Sequence, residues 1–377
     1  MVAPSMKSSV LALAVVFAIS LALTGCSDRD KPAAADVNAG KTLAEQQCKG
    51  CHGLDGRGAA PGIPHLAGQN ESYLLQALNE YRDGKRIHAA LQEIAAHMNE
   101  AQARNLAAYY ASLPPVATAA GVEVFSPYDR GRDKAAPCMT CHGENGNSKT
   151  PGVPSLAGQQ PRYLVLATQE YVTGARESST MHAIGRDLDK LDLESVALFF
   201  ASQTPAERPA PPFGDPKAGE PLSAPCGGCH GSHGVSTDAS TPTLAAQDGQ
   251  YLVEAIKAYR TTRRNAAMKR AVANLSDSDI NNIAAYYVVQ KSRPAEHGQM
   301  LVQELVEKCN RCHGADVSNP ALAIPNIRGQ DKDYLIMALG AYRDDRRESS
   351  IMHKMSLPFG DAVIEALASF YASKPAR

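Results

Sequence analysis

Apolar residues recur along the chain at the spacing of amphipathic helices. The segments "SYLLQALNEYRDG" (72–84) and "DYLIMALGAYRDD" (333–345) place apolar side chains at positions i, i+3, i+4 and i+7, which form one face of an α-helix. The strict alternation of a half-buried strand is almost absent. The pattern therefore predicts an all-α fold.

The helical pattern repeats four times, with a period of about ninety residues. The first cysteine of a C-x-x-C-H motif stands at positions 48, 138, 226 and 309. Each repeat closes on another apolar helix, namely "ARNLAAYYASL", "LESVALFFASQ", "INNIAAYYVVQ" and "VIEALASFYAS". In the third repeat, Ser276 is the predicted N-cap of this closing helix. The chain is therefore predicted to contain four tandem small helical domains.

The predicted domain limits are 38–116, 126–204, 216–293 and 297–377. Residues 205–215 between the second and third domains are rich in proline, and such a segment favours a stiff spacer. The spacer predicts two pairs of domains, the first with the second and the third with the fourth.

The N-terminus has the pattern of an export signal. Residues 1–25 contain Lys7, a short apolar run and small residues. Their last three residues form the motif "LTGC" together with Cys26. This ending resembles the bacterial lipobox, in which the cysteine is lipidated and anchors the protein to a membrane. An ordinary cleaved signal or an uncleaved anchor is the alternative. Residues 26–37 are predicted to form a polar tether. Ser27, which follows the cysteine, favours the outer membrane as the site of anchoring. The chain is then expected in the periplasm.

Charge identifies no macromolecular partner. The formal net charge is −1, and no long basic or acidic run occurs, so a nucleic-acid partner is not expected.

Eight of the nine cysteines lie in the four C-x-x-C-H motifs, the attachment signature of c-type haem. Two thiols three positions apart reach both vinyl groups of one porphyrin, and the adjacent histidine reaches the iron. Disulfides would not explain the histidine, zinc would need two repeats to share a metal, and thioredoxin-like chemistry needs a βαβ unit. The motifs therefore predict four covalently bound haem c groups. The attaching cysteines are Cys48, Cys51, Cys138, Cys141, Cys226, Cys229, Cys309 and Cys312, and the axial histidines are His52, His142, His230 and His313.

A fixed pattern follows each motif. A proline stands 12 residues after each histidine, followed at fixed intervals by a glutamine and two tyrosines. The motif "CHG…P-x-L-x-G-Q-x-x-x-Y-L" with its closing helix resembles the class I cytochrome c family. It is most similar to the dihaem cytochrome c-four branch, over residues 38–377, as if two dihaem proteins had been joined.

This resemblance implies a methionine as the second axial ligand, before the last helix of each domain. Met181 and Met352 stand 10 residues after the second tyrosine of their repeats, and Met268 stands 9 after it. Met355 is a weaker rival to Met352. The resemblance also implies that the carbonyls of Pro64, Pro154, Pro242 and Pro325 accept a hydrogen bond from the haem-binding histidines. Arg82, Arg260 and Arg343 either meet haem propionates or line a solvated helix face.

The first repeat departs from the pattern, because Leu91 stands where the others have methionine. Leucine cannot bind iron. His88 and Met98 are the candidate sixth ligands of the first haem, with His97 as a weaker one. Leu188, Leu275 and Phe359 hold the place of Met98 in the other repeats, which favours a packing role for Met98. An open coordination position is the remaining alternative.

The leading functional hypothesis is electron transfer without catalysis. The family implies an upstream quinol-oxidising complex or periplasmic dehydrogenase, and a downstream terminal oxidase or reductase. Two alternatives stay open. The first haem, if open, would make the chain an enzyme that oxidises a small anion or reduces peroxide. The chain would otherwise be the cytochrome subunit of a larger dehydrogenase.

Overall fold

The computed structural model describes residues 34–117, 121, 123–295, 302–314 and 322–376. The predicted signal, Cys26 and Ser27 lie outside the described residues. The chain divides at residue 35 into the units Met1–Ala35 and Asp36–Arg377, and the helices lie in the second. Among them, none combines the length and apolar character that spanning a bilayer requires.

The described residues form helices joined by loops and no strand, which confirms the predicted all-α fold. Nineteen α-helices occur in this part of the chain. In the first repeat they are α1 (Val37–Leu43), which continues through a π-helical turn (Ala44–Cys48) into α2 (Lys49–His52), then α3 (Glu71–Arg82), α4 (Ala89–Ala96) and α5 (Glu100–Ser112). In the second they are α6 (Pro127–Lys134), α7 (Ala136–His142), α8 (Pro161–Val172), α9 (Ser179–Arg186) and α10 (Lys190–Ser202).

The third and fourth repeats follow the same order of helices. The third has α11 (Pro216–Ser223), a 3₁₀ turn (Ala224–Cys226), α12 (Gly227–His230), α13 (Gly249–Ala258), α14 (Ala266–Val272) and α15 (Asp277–Val288). The fourth has α16 (Val302–His313), α17 (Lys332–Arg343), α18 (Ser350–Ser356) and α19 (Asp361–Ala372). Ser276 caps α15 in a reciprocal capping box with Asp279, as the sequence predicts.

Each repeat has its own hydrophobic core, built where its first and last helices cross. In the first three repeats a glycine of the first helix makes the crossing possible. A Cβ atom on Gly40 would lie 2.0 Å from the Asn105 carbonyl oxygen, and one on Gly219 would lie 2.0 Å from that of Asn282. The first cysteine of each motif packs against the core of its repeat. The core is small, as expected of a domain that closes around a cofactor.

The domains do not pair in the order of the sequence, and the expected pairing is wrong. The second domain packs against the third, and the first packs against the fourth. Gln159 bonds to the backbone of Thr243 across the first of these interfaces. Gln69 bonds to the backbone of Asn326 across the second. The second and third domains are called the 2·3 pair, and the first and fourth are called the 1·4 pair. The pairs are nested in the sequence, because the 2·3 pair lies between the first domain and the fourth.

The proline-rich segment is part of the 2·3 interface and is not a free spacer. The Arg208 guanidinium donates to the carbonyl oxygen of Ala246 in the third domain (3.0 Å) and to the Ser155 hydroxyl in the second (2.8 Å). Phe213 packs on the core of the third domain. The segment holds the two domains together because its side chains bond to both.

Candidate functional site

Each C-x-x-C-H motif ends a helix. His52, His142, His230 and His313 are the last residues of α2, α7, α12 and α16. Residues three apart on a helix lie on one face, so the two thiols of a motif are neighbours. The first cysteine is half-buried and the second is exposed, and none of the eight forms a disulfide. Within the described residues, no group of histidine, cysteine and acidic side chains could hold a metal ion by itself.

The four motif histidines are each oriented by a proline carbonyl; His142 and His230 are buried, and His52 and His313 are half-buried. In each, Nδ1 lies within hydrogen-bond distance of the carbonyl oxygen of the proline 12 residues later. The distances are 3.1 Å for His52–Pro64, 2.7 Å for His142–Pro154, 2.8 Å for His230–Pro242 and 3.0 Å for His313–Pro325. The expected proline acceptors are thus confirmed. Burial lowers the pKa of all four imidazoles. A neutral ring that donates from Nδ1 keeps the lone pair of Nε2 for a metal.

The methionines at the expected axial positions share one local structure. Each stands at the third position of a short helix, and its backbone N–H donates to the side chain of the residue that caps the helix. The pairs are Met181 with Ser178 (3.2 Å), Met268 with Asn265 (3.0 Å) and Met352 with Ser349 (3.2 Å). The repeated cap fixes each methionine at the same point relative to its helix.

A cavity of about 550 Å³ joins the motif to this methionine in the second domain. His142 and Met181 both line it, together with Cys138 and Cys141. Its lining is mainly apolar, and the third domain contributes part of it through α13 and the residues that follow. The lining there includes Tyr251, Glu254, Ala255, Ala258, Thr262 and Arg263. The volume lies within the range of about 300–1,000 Å³ that is usual for ligand sites.

The remaining candidates lie elsewhere. Met98 is buried in the core of the first domain. His97 is exposed, and its Nδ1 lies 2.9 Å from the Glu93 carbonyl oxygen of its own helix. Met355 is 37% exposed. These positions favour packing or solvent contact over ligation.

The arginines expected at the propionates bond to other groups. Arg260 donates to Asp277 (3.1 Å), and Arg343 donates to Asp361 (2.6 Å). Arg82 lies 3.5 Å from Asp83 of its own helix end. Arg260 and Arg343 are half-buried and Arg82 is exposed, so the two interpretations that the sequence left open both stay open.

A reciprocal glutamine bridge forms each domain interface. The Gln247 amide donates to the Ser155 carbonyl (2.9 Å), and its oxygen accepts from the Ser155 N–H (2.6 Å). Gln330 makes the same two bonds to His65, at 2.9 and 2.6 Å. The bonded backbone follows the proline that orients the motif histidine. One loop therefore both bonds to the partner domain and orients the motif histidine.

Four aromatic and cationic side chains meet at the centre of each interface. In the 1·4 pair they are Tyr73, Tyr334, Arg86 and Arg347, and in the 2·3 pair they are Tyr163, Tyr251, Arg176 and Arg263. Arg347 donates to the Tyr73 hydroxyl (2.8 Å). Burial would raise the pKa of Tyr73, but the guanidinium groups of Arg347 and Arg86 outweigh it and lower that pKa to about 8.

These residues fit haem. The two buried arginines of the 1·4 cluster have one nearby carboxylate, Glu80, which bonds to Arg86. Nε of Arg347 is buried without a partner. A buried unpaired donor is costly, and an acidic group such as a haem propionate satisfies it. The thiols, imidazoles, apolar walls and interfacial cations together suit a covalently attached haem.

Sequence reasoning noticed the glutamines but gave them no role, and it missed the four clustered arginines. The arginines stand four or five residues after the second tyrosine of each repeat, at 86, 176, 263 and 347, so their spacing could have found them. It did not single out His182 and His353 either. Both follow an expected methionine ligand and bond through Nδ1 to the carbonyl of the second tyrosine, at 3.1 and 2.8 Å.

Comparison with known proteins agrees with this site. A family model described as cytochrome c matches residues 37–114 and 129–190. Cytochrome c4 from Pseudomonas aeruginosa is 30% identical over 199 residues, which are 50% of this chain and 96% of that protein. A thiosulfate dehydrogenase electron acceptor from Thiomonas intermedia is 30% identical over 169 residues, or 41% of this chain and 78% of that protein. The crystal structure of reduced cytochrome c4 from Pseudomonas stutzeri has a TM-score of 0.40 and 31% identity, and it covers 43% of this chain and 98% of that chain.

Four attachment motifs, each with its oriented histidine, mean that the chain carries four covalently bound haem c groups. The chain belongs to the cytochrome c family as a four-haem, cytochrome c4-like c-type cytochrome.

Proposed function

We propose that the chain is a periplasmic relay that carries single electrons between a dehydrogenase or quinol-oxidising complex and a terminal oxidase or reductase. It is tethered to a membrane through a lipid on Cys26. The next residue, Ser27, favours the outer membrane as the place of the anchor. Domains 38–116, 126–204, 216–293 and 297–377 each hold one haem. Bound haem c supplies a one-electron Fe(III)/Fe(II) couple, and Met181, Met268 and Met352 complete the coordination of three irons.

The observation that carries the proposal is that the domains form one continuous series of contacts. The two pairs are joined by α10 of the second domain and α19 of the fourth. Glu194 accepts from the Ala362 N–H (2.8 Å), and Lys190 pairs with Asp361 (2.6 Å). The series runs from the first domain to the fourth, then to the second and the third. We infer that electrons pass between domains in that order.

The side chains support a carrier in two ways. The motif histidines are buried or half-buried, and the cavity of the second domain is mainly apolar, so the surroundings of a bound iron would change little with its charge. The interfacial arginines supply positive charge at the centre of each pair, which would stabilise the acidic groups of bound haem. A thioether ligand raises the reduction potential, which suits a chain that accepts electrons from a dehydrogenase.

The similarity to proteins named thiosulfate dehydrogenase electron acceptors supports a donor that oxidises a small sulfur anion. The test mixes the oxidised, haem-loaded chain with a thiosulfate dehydrogenase and thiosulfate, and follows the haem spectrum in a stopped-flow instrument. We expect reduction of all the haems only when the enzyme is present. Oxidation of thiosulfate by the chain alone would show that the chain is an enzyme, and no reduction with the enzyme would remove this donor.

The tether has its own test. Cys26→Ser is expected to move the haem protein from the membrane fraction to the periplasmic fluid with an unchanged spectrum. Retention of the variant in the membrane fraction would contradict lipid anchoring at that residue.

A further inference from the structure

The first domain holds a different residue at the helix cap beside the axial position. The first and second domains align with a constant offset of 90 residues, from Cys48 and Cys138 to Tyr110 and Phe200. In this alignment Leu91 stands at the place of Met181, and His88 stands at the place of Ser178.

His88 has the same backbone conformation as the serine caps. Its φ and ψ are −162° and 105°, those of Ser178 are −171° and 112°, and those of Ser349 are −175° and 109°. Its Nδ1 accepts from the Leu91 N–H at 3.3 Å. The first domain therefore builds the same short helix with an imidazole at the cap.

Capping alone does not account for a histidine here. Serine, asparagine, aspartate and threonine are the side chains that cap helices well, and the other domains use Ser178, Asn265 and Ser349. Moreover, the capping bond needs Nδ1 without a proton. A neutral imidazole that binds a metal through Nε2 carries its proton on Nδ1, so capping and ligation exclude each other.

His88 is exposed, and it stands at the place of a residue that lines the cavity of the second domain. Ser178 lines the cavity of the second domain, as does Tyr171. In the first domain the ring of Tyr81, which corresponds to Tyr171, meets the ring of His88 edge to face, with the centroids 6.4 Å apart. The imidazole thus occupies the position that lines the cavity in the second domain, and it contacts the tyrosine that corresponds to a second residue of that lining.

The rival residues of the first domain are occupied otherwise. Met98 is 7% exposed and packs with Tyr73, Leu74 and Leu106. The corresponding Leu188 lines the cavity of the second domain as an apolar contact, alongside Met181. Leu91 has no donor atom, and His97 bonds to its own helix.

We propose that His88 leaves its capping bond and binds the iron of the first haem through Nε2, so that this haem alone has two histidine ligands. The loss of one weak cap is offset by a metal bond. Because methionine raises the potential of a His-ligated haem, the first haem then has a lower reduction potential than the other three. This inference concerns the first haem alone and does not depend on which electron partners the chain has.

The test uses the full, haem-loaded chain and carbon monoxide, which binds a ferrous haem with an open or weak sixth position. The wild type is expected to bind no carbon monoxide. His88→Asn keeps a helix cap of the kind that Asn265 provides and removes the imidazole, so it is expected to bind one molecule per chain. Met98→Leu is the matched control, because leucine stands there in the second domain, and it is expected to bind none.

A rescue variant separates ligation from a structural role. His88→Asn with Leu91→Met restores a thioether at the place of Met181. It is expected to lose the carbon monoxide site and to gain a fourth methionine–iron absorption band in the oxidised spectrum, where the wild type has three. It should also raise the lowest of the four potentials in a redox titration.

Several results would each overturn the proposal. One molecule of carbon monoxide on the wild type would show an open first haem. No binding by His88→Asn, or binding by Met98→Leu, would assign the ligand elsewhere. If His88→Asn does not accumulate, the wild type still decides, because four methionine–iron bands, or an electron paramagnetic resonance spectrum without a bis-histidine signal, would contradict it.

Discussion

The 2·3 and 1·4 interfaces share the same central contacts but differ in the hydrogen bonds that are added to them. In both, a glutamine of each domain bonds to the partner's backbone, and two tyrosines meet two arginines at the centre. The 2·3 pair adds Arg208 from the segment that joins its domains. In the 1·4 pair, whose domains are far apart in the sequence, Asn326 donates its side-chain amide to the Gly68 carbonyl (2.9 Å).

The comparison shows that contacts at the interface determine which domains pair, and that a connecting segment is not needed for pairing. One polar position of the repeat follows a rule across the chain. The residue after the bridging glutamine is an amide in the first and second domains (Asn70, Gln160) and an acid in the third and fourth (Asp248, Asp331). Each interface joins one domain of each kind. Asp331 accepts from the Gly62 N–H and Asp248 from the Gly152 N–H, both at 2.8 Å.

The largest expected effect comes from removing a glutamine bridge. Gln247→Leu leaves the N–H and carbonyl of Ser155 unpaired in a buried place, and we expect a loss of about 3 kcal/mol. Gln330→Leu leaves those of the half-buried His65 unpaired, and we expect about 2 kcal/mol. Hydrogen exchange of the Ser155 amide measures the loss in Gln247→Leu, and that of the His65 amide measures the loss in Gln330→Leu. Gln76→Leu, on the exposed face of α3, is the control, and an equal effect there would refute the bridge.

Arg208→Ala should weaken the 2·3 pair alone. Hydrogen bonds to a charged donor contribute about 1.5–3 kcal/mol, and Arg208 also lies 3.5 Å from Asp248. We expect faster exchange of the Ser155 amide and no change at His65. The control is Lys291→Ala, which removes an exposed ion pair with Glu207 worth about 0–1 kcal/mol. A matching change at both amides would show that the segment does not act on one interface.

A smaller difference separates the two interfacial acids. Asp248→Asn and Asp331→Asn keep the acceptor oxygen and remove the charge, so each should cost under about 1 kcal/mol from lost charge at a helix N-terminus. Asp248→Asn should cost more, because only that carboxylate faces Arg208. A double-mutant cycle with Arg208→Ala measures the difference. No coupling between the two positions would contradict the ion pair.

The smallest expected effect is a pH dependence at the contact between the pairs. Burial raises the pKa of Glu194 above its usual value near 4.5. The folded carboxyl therefore holds its proton more tightly than the unfolded one, and stability falls as the pH rises above 4.5 through the folded pKa. Glu194→Gln should flatten thermal stability over that range, as measured in a pH series by scanning calorimetry. A variant with the same pH slope as the wild type would exclude Glu194 as its source.

Much of the domain structure follows from local sequence rules. Helical spacing predicts the closing helices, and Ser276 with Asp279 predicts the start of α15. The fixed distance from motif histidine to proline predicts the bonds that orient the imidazoles, because a hydrogen bond within one loop needs only a constant loop length.

The pairing of the domains could not be read in the same way. A proline-rich segment between the second and third domains is compatible with a spacer or with a clamp, and the outcome depends on whether Arg208 finds acceptors on both sides. Those acceptors are backbone carbonyls, which the sequence does not distinguish. The positions Asn70, Gln160, Asp248 and Asp331 held the relevant signal, but its meaning appears only when the interfaces are seen.

The nested pairing is the central claim, and cleavage of the chain tests it most directly. A protease site inserted at the exposed Gly121, between α5 and α6, cuts the covalent link of the first domain. Size-exclusion chromatography then follows its haem colour. We predict that the cut first domain stays bound, that Gln330→Leu in the fourth domain releases it, and that Gln247→Leu in the third does not. Release without any substitution, or release by Gln247→Leu but not by Gln330→Leu, would contradict the pairing of the first domain with the fourth.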